Sequence, residues 1–351
     1  MTRYDLARDD WAELLAGEQR FRLEQVWNGL YRQGRDLDEL TELPAALRER
    51  LGAAAPLALA EVTESVTDGG DTVKFLWELD GGARVETVLM HYADRSTVCV
   101  STQAGCAMAC SFCATGQAGF ERHLDAGEIV EQLARARRRA ADGPQPRRVS
   151  NVVFMGMGEP LANYDATWAA IRRIHRDMEI GARHLTVSTV GLVPGILRMA
   201  DEDLPVGLAV SLHAADDELR DELVPINRTY PLDALMEACH RYVDATRRRV
   251  SFEWAMIDGV NDRFEDAERL ARLATPLRAH VNLIPLNPTP GYAVRGSSGN
   301  RVRAFTAELE RRGVNVTVRD TRGTEIDAAC GQLRAGHEAT PVRRPRRRST
   351  A

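Results

Sequence analysis

The sequence predicts an α/β chain: a partial (β/α)6 TIM-like barrel behind a small N-terminal accessory domain of helices plus a β-hairpin. Three observations predict it. Apolar strands and amphipathic helices alternate from residue 96 onward. Before that, the hydrophobic period is helical over residues 1–50 and strand-like over 57–91. Polar residues gather where the apolar strands end. Alternating β and α elements imply a parallel sheet with right-handed crossovers, and in such sheets ligands bind beyond the strands' carboxyl ends.

The elements follow in order. Leu14, Leu15, Phe21, Leu23, Val26, Trp27, Leu30 and Tyr31 recur at helical spacing, and Gly34 is a stop signal. TVKFLWEL, DGG and ARVETVLMHY then read as a hairpin with a glycine turn. Barrel strands are expected at 97–101, 149–154, 184–188, 206–212, 250–257 and 280–285. Helices are expected near 125–140, 164–176, 192–200, 231–246 and 263–274, with a last helix near 298–312 and a strand near 314–318. This divides the chain into an accessory domain (1–91), a barrel core with a C-terminal cysteine loop (92–333) and a basic, disordered tail (334–351).

Composition frames the function. The chain has 351 residues, 44% hydrophobic and 28% charged, as expected of a soluble globular protein. No apolar stretch approaches the ~20 residues of a membrane span, so no membrane partner is expected. The first residues lack the basic-then-apolar layout of a secretory signal, so the cytoplasm is the expected compartment. There, thiols bind metals or do chemistry rather than staple the fold. A net charge of −5 argues against general nucleic-acid binding. Local patches matter more than the average, however, and RARRRA (135–140), PRR (146–148), TRRR (246–249) and RRPRRR (343–348) are basic. Such runs are also ordinary solvated helix faces or tails. Lys74 is the only lysine, so arginine richness is partly a habit of this chain.

Cys106, Cys110 and Cys113 stand in GCAMACSFCATG, after the first barrel strand. Iron–sulfur clusters are held by thiolates, usually four. Three from one short loop would hold a 4Fe-4S cluster with one iron open to a small molecule. The C-x3-C-x2-C spacing resembles the radical SAM enzymes, in which that molecule is S-adenosyl-L-methionine (SAM). A zinc loop is the alternative, but structural zinc prefers four ligands and no fourth cysteine or histidine is near in sequence. Phe112 could shield a cluster or simply pack.

GMGEP follows the second strand, where Gly158 would allow close backbone approach and Glu159 could meet an ammonium group. A plain strand-to-helix turn is the other reading. Ser188, the run Ser211, Leu212 and His213, and Asn287 lie at further strand ends. They suit a ligand pocket or, for the serines, helix caps. Cys239 lies on an apolar helix face and reads as core. Cys99 precedes the cluster loop in the first strand, and Cys330 sits in a glycine-flanked loop.

Taken together, GCAMACSFCATG, FMGMGEPLANY, STVGLVP, SLHA, NLIPLNPTPG and TRGTEIDAACGQL occur in this order over residues 85–335. They resemble the radical SAM methyltransferases that act on adenine carbon-2 of ribosomal and transfer RNA. The stretch MHY (90–92) and His123 depart from that pattern. The resemblance implies a radical SAM type of barrel with one 4Fe-4S cluster on Cys106, Cys110 and Cys113. It implies a SAM pocket of Gly158, Glu159, Ser188, Ser211, Leu212, His213 and Asn287. It also implies two SAM molecules per turnover. Cys330 would carry a methyl group as S-methylcysteine, Glu86 of VETVLM would accept the carbon-2 proton, and Cys99 would resolve the covalent adduct through a transient disulfide with Cys330. Without the resemblance, Glu86 reads as an exposed strand carboxylate. The implied partners are 23S rRNA, tRNA and a flavodoxin- or ferredoxin-type electron donor, with the enzyme a monomer. The sister chemistry at adenine carbon-8 uses the same cysteines, and a zinc-stabilised RNA-binding protein is the non-enzymatic alternative.

Overall fold

Strand and helix alternate in the computed structural model largely as the hydrophobic periods require. It describes residues 1–67, 69–142, 146–287, 294–319, 323, 326–329 and 332–333. The N-terminal helices are α1 (Arg8–Leu14), α2 (Phe21–Trp27) and α3 (Ala45–Ala54). A π-helical turn, Asn28–Gln33, extends α2 and stops at Gly34 in the left-handed conformation. Three antiparallel strands follow: β1 (Ala60–Val66), β2 (Thr72–Glu78) and β3 (Arg84–His91). The β2–β3 pair is the expected hairpin. β1 is an addition: Ala60, Val62 and Val66 alternate with polar residues, but Glu64 interrupts the apolar face and both valines stay exposed.

The barrel begins with β4 (Ser96–Cys99). A small excursion follows: β5 (Gln103–Gly105), α4 (Ala114–Ala118) and β6 (Phe120–His123), with β5 and β6 antiparallel. Then come α5 (Ala126–Ala141), β7 (Val149–Phe154), α6 (Tyr164–Arg176), β8 (Leu185–Thr189), α7 (Val193–Ala200) and β9 (Gly207–Ser211). The chain continues through α8 (Asp217–Leu223), α9 (Leu232–Thr246), β10 (Ser251–Met256), α10 (Phe264–Leu277), β11 (His280–Pro285), α11 (Gly299–Arg311) and β12 (Asn315–Val318). Strands β4 and β7 to β12 are parallel neighbours in chain order. That is the topology of repeated right-handed β–α crossovers.

The sheet does not stop at the expected domain boundary. β3 pairs antiparallel with β4, from Val88 opposite Cys99 to His91 opposite Ser96, so accessory and barrel strands form one ten-stranded sheet. The arginines of α5 reinforce this junction. Arg135 pairs with Glu61, Arg138 with Glu39 and Arg139 with Glu64. Arg137 donates to the carbonyls of Tyr31 and Arg32. RARRRA is therefore committed to holding the N-terminal elements. Glu131, buried on the same helix, accepts the backbone N–H groups of Ala58 (2.8 Å) and Leu59 (3.1 Å). Among the described residues, no helix is long and apolar enough to cross a membrane.

Candidate active site

One cavity opens at the carboxyl ends of the barrel strands. It is lined by Cys106, Cys110 and Cys113 on one side and by Gly158, Glu159, Ser188, Ser211, His213 and Asn287 on the other. Nine of the residues expected from sequence to hold the cluster and SAM thus face a single space, although they come from five segments of the chain.

The cysteine loop is fixed at both ends. Gly105 has φ +72°, and a Cβ there would collide with the Gly119 carbonyl. That close approach lets the Cys106 N–H donate to Gly119 O at 2.6 Å. The Ser111 N–H donates to Leu223 O and the Cys113 N–H to Cys110 O, each at 3.2 Å. Phe112 is buried among Cys110, Leu219, Leu223, Ile257 and Val260. Its ring meets His213 edge-on at 4.7 Å, so it screens the loop from water.

Burial pushes the Cys106 thiol up to about 12 and holds Cys110 well above the ordinary thiol range, with the neighbouring thiolates adding mutual repulsion. Three thiolates in this enclosure require positive charge. Among the described residues, no three His, Cys, Asp or Glu side chains converge as a single metal ion would need. The donor set is soft and trithiolate, which suits an iron–sulfur cluster. The buried Arg220 guanidinium also acts on Cys110, favouring its thiolate. Arg220 donates to Leu212 O, Val190 O and Asn227 Oδ1, tying the ends of β8 and β9 together.

The opposite wall is equally constrained. Gly158 has φ +97° and lies against Gln103, where a Cβ would come within 2.5 Å of the glutamine's own Cβ. Gln103 Oε1 accepts the Glu159 N–H at 2.8 Å. The Glu159 carboxylate accepts the N–H groups of Leu161 (3.0 Å) and Val190 (2.9 Å). Burial nevertheless pushes its carboxyl up to about 7. A ligand ammonium arriving there would favour the ionised form. Ser188 and Ser211 place their hydroxyls 3.4 Å apart. His213 has φ +59°. Its Nδ1 accepts the Ala255 N–H at 3.0 Å, leaving the ring proton on Nε2. Burial, with Arg220 nearby, pushes it down to about 3, so it is neutral.

Leu212 is not brought to the cavity. Its side chain is core, its N–H donates to Glu253 O and its carbonyl is held by Arg220. Two charged cavity residues escaped the sequence reading, Glu253 on β10 and Arg319 after β12. Asn282 donates to Glu253 Oε1 at 2.8 Å, and Arg319 lies 3.7 Å from Glu253 Oε2. The signal was a lone carboxylate inside the apolar run VSFEWAMI. Cys239 is fully buried on α9, as expected of a core residue.

Glu86 and Cys99 do not line this cavity. Glu86, on β3, is buried, where sequence alone suggested exposure. It lies 3.1 Å from Lys74 Nζ. Val88 is the cross-strand partner of Cys99, and side chains alternate along a strand. Glu86, Val88 and Cys99 therefore share one sheet face. A buried polar chain fixes this face to the cavity. Ser101 Oγ donates to Glu86 O (2.6 Å) and accepts the Met157 N–H (2.9 Å), while Gln132 bonds both the N–H and the C=O of Ser101. Cys330 lies outside the described residues. Of the residues flanking it, Asp327 accepts from Lys74 Nζ at 3.3 Å, and the Leu333 carbonyl accepts from Thr115 Oγ1, beside the cysteine loop, at 2.5 Å.

Comparison with known proteins accords with this geometry. Residues 100–274 match the Radical SAM superfamily. The chain is 52% identical over 341 residues to a probable dual-specificity RNA methyltransferase RlmN from Salinispora tropica, covering 95% of this chain and 92% of the relative. A protein of the same description from Chloroflexus aurantiacus is 51% identical over 97% of this chain and 94% of its own. The crystal structure of a radical SAM methyltransferase from Sphaerobacter thermophilus superposes with a TM-score of 0.91 at 51% identity, over 95% of this chain and 99% of that one. The chain belongs to the RlmN family of dual-specificity RNA methyltransferases, within the radical SAM superfamily.

Proposed function

We propose that the chain methylates carbon-2 of a specific adenosine in 23S rRNA and of the adenosine 3′ of the anticodon in tRNA. One observation carries the reading. The trithiolate loop and the SAM-pocket residues share a cavity, and Ser101 links the Glu86 carbonyl to the N–H of Met157, which stands between the cavity-lining Gly156 and Gly158.

Cys106, Cys110 and Cys113 would hold a 4Fe-4S cluster, and Glu159, Ser188, Ser211, His213 and Asn287 would hold SAM. When bound, the pair supplies one-electron cleavage of SAM to a carbon-centred radical. Glu159 offers charge to the ammonium, the two serines offer hydroxyls, and neutral His213 offers an Nε2–H donor. Phe112 excludes water.

Carbon-2 of adenine is electron-poor and does not attack a methyl donor. Cys330 would therefore take a methyl group from a first SAM as a thioether, and the radical from a second SAM would remove one hydrogen from it, leaving as 5′-deoxyadenosine. The methylene carbon would then add to carbon-2, the adduct would give up one electron, and Glu86 would accept the carbon-2 proton. Cys99, as the thiolate, would attack the Cys330 sulfur; the S–C bond breaks toward the base, whose new methyl group gains a proton, and the resulting disulfide is reduced by two electrons from the external donor before the next turnover. A flavodoxin- or ferredoxin-type donor supplies electrons to a cytoplasmic monomer.

The test is mass spectrometry of adenosines from RNA treated with anaerobically reconstituted protein, SAM and a reductant. The expected product is 2-methyladenosine. 8-Methyladenosine would move the protein to the sister chemistry. Cys330→Ala should abolish product while leaving iron content unchanged, and turnover in that variant would sink the covalent route.

A further inference from the structure

Lys74 is the only lysine among 46 lysine and arginine residues. A chain that meets its other needs for positive charge with arginine keeps one ammonium, and that ammonium is largely enclosed. Its side chain is 14% exposed and that of Glu86 5% exposed. Nζ lies 3.1 Å from Glu86 Oε1 and donates to the Asp327 carbonyl at 3.3 Å. Asp327 stands three residues before Cys330 in the sequence.

The strand register makes this a designed meeting. Lys74 is paired with Val88 across β2–β3, and Val88 with Cys99 across β3–β4. Lys74, Glu86 and Cys99 consequently share one face of the sheet. A second contact places the C-terminal segment on that face. A Cβ at Gly323 would come within 2.9 Å of Thr72 Cγ2, and Thr72 lies two residues from Lys74 on the same strand.

We propose that Lys74 is a positioning residue for the proton-transfer step, registering the Glu86 carboxylate against the segment that carries Cys330. This rests on the reading of Glu86 as the base and Cys330 as the methyl carrier. A compact ammonium with three donors can serve a carboxylate and a carbonyl that approach from different elements. A planar guanidinium on a longer stem favours bidentate engagement of the carboxylate alone. The arginine habit of the chain would therefore fail at this position. In the step itself, the carbon-2 proton passes to the Glu86 carboxylate, which becomes a neutral acid, and Lys74 remains an ammonium throughout. Without the ammonium, the Glu86 carboxylate loses the group that ties it to the Asp327 carbonyl.

Two readouts test this on the reconstituted holoenzyme. The first needs no turnover. Because the chain has one lysine, amine-reactive labelling followed by mass spectrometry reports Lys74 beside the N-terminal amine only. Glu86→Gln should speed labelling of Lys74 by about tenfold or more, since the ion pair is the charged one of its two restraints. An unchanged rate would overturn the proposal. The second separates two steps. Lys74→Met and Lys74→Arg should retain methylation of Cys330 yet lower 2-methyladenosine formation by about 10²-fold, the scale of a general-base contribution. A merely structural lysine would lower both steps together, and that result, or a wild-type rate in Lys74→Arg, would overturn the proposal. If Lys74→Met unfolds because it strands a buried carboxylate, the double variant with Glu86→Gln removes both charges and should fold. A wild type that methylates Cys330 but never yields 2-methyladenosine would instead overturn the proposed reaction.

Discussion

Glu159 combines burial with two backbone donors, and the balance between them sets a pH response. Burial dominates and holds its carboxyl at about 7, above the ordinary carboxylate range. For stability, this carboxyl contributes most below its unfolded value, and that contribution is lost as pH rises through 7. Binding of a cation runs the other way, because an ammonium requires the ionised form. SAM affinity should therefore be flat above pH 7 and weaken as pH falls below it. Glu159→Gln should remove that slope and weaken binding about tenfold or more, as expected for losing a charged hydrogen bond. Calorimetric titration of SAM from pH 6 to 8.5 would check both points. An unaltered slope in the variant would assign the titration elsewhere. The residues of this pocket were legible in the sequence because each follows an apolar strand or lies in a glycine turn. Lys74, Glu253 and Arg319 were not, because their meaning depends on partners 12, 29 and 66 positions away or more exactly on which strands are neighbours. Leu212, between Ser211 and His213, turns its side chain into the core, so any part it has in the pocket falls to its backbone.

At the scale of elements, α5 connects the two halves of the site. Gln132 on this buried helix face is bonded to the Ser101 N–H (2.8 Å) and C=O (2.9 Å), and its Oε1 also accepts from Thr87 Oγ1. Trp77 Nε1 in turn donates to Thr87 Oγ1 at 2.9 Å. Gln132→Leu fits an apolar side chain but leaves a backbone donor and acceptor of Ser101 unsatisfied. That should cost about 2–3 kcal/mol, read as a lower urea midpoint. It should also impair product formation more than cluster loading, because Ser101 holds the Glu86 carbonyl while the cysteine loop is held separately. The strand expected at 250–257 was legible because both faces of a parallel strand can be buried, and Phe252 to Met256 all are. The elements that escaped share a physical reason. β5 and β6 are too short to show a period. α8, DELRDEL, buries Leu219, Arg220 and Leu223 and has no broad apolar stripe.

For the whole molecule, the sheet continuous across β3 and β4 decides whether the accessory region is a separable domain. The α5 arginine pairs are partly exposed, and such pairs contribute at most ~1 kcal/mol each. The β3–β4 ladder, the Glu131 bonds to Ala58 and Leu59 and the buried Trp77 bind the two regions more strongly. Removing residues 1–91 would expose the edge of β4, a row of unpaired backbone groups prone to intermolecular pairing. The accessory region and the barrel should therefore unfold in one transition. Trp11, Trp27 and Trp77 report the first region, Trp168 and Trp254 the second. A variant carrying Trp168→Phe and Trp254→Phe makes fluorescence specific to the accessory region, while far-UV circular dichroism follows the entire chain. Coincident urea midpoints are expected, and a core fragment of 92–333 should aggregate rather than fold. Separate midpoints would mean that the shared sheet does not couple the regions. Glu86 would then sit on a unit that can open independently of the cavity it serves.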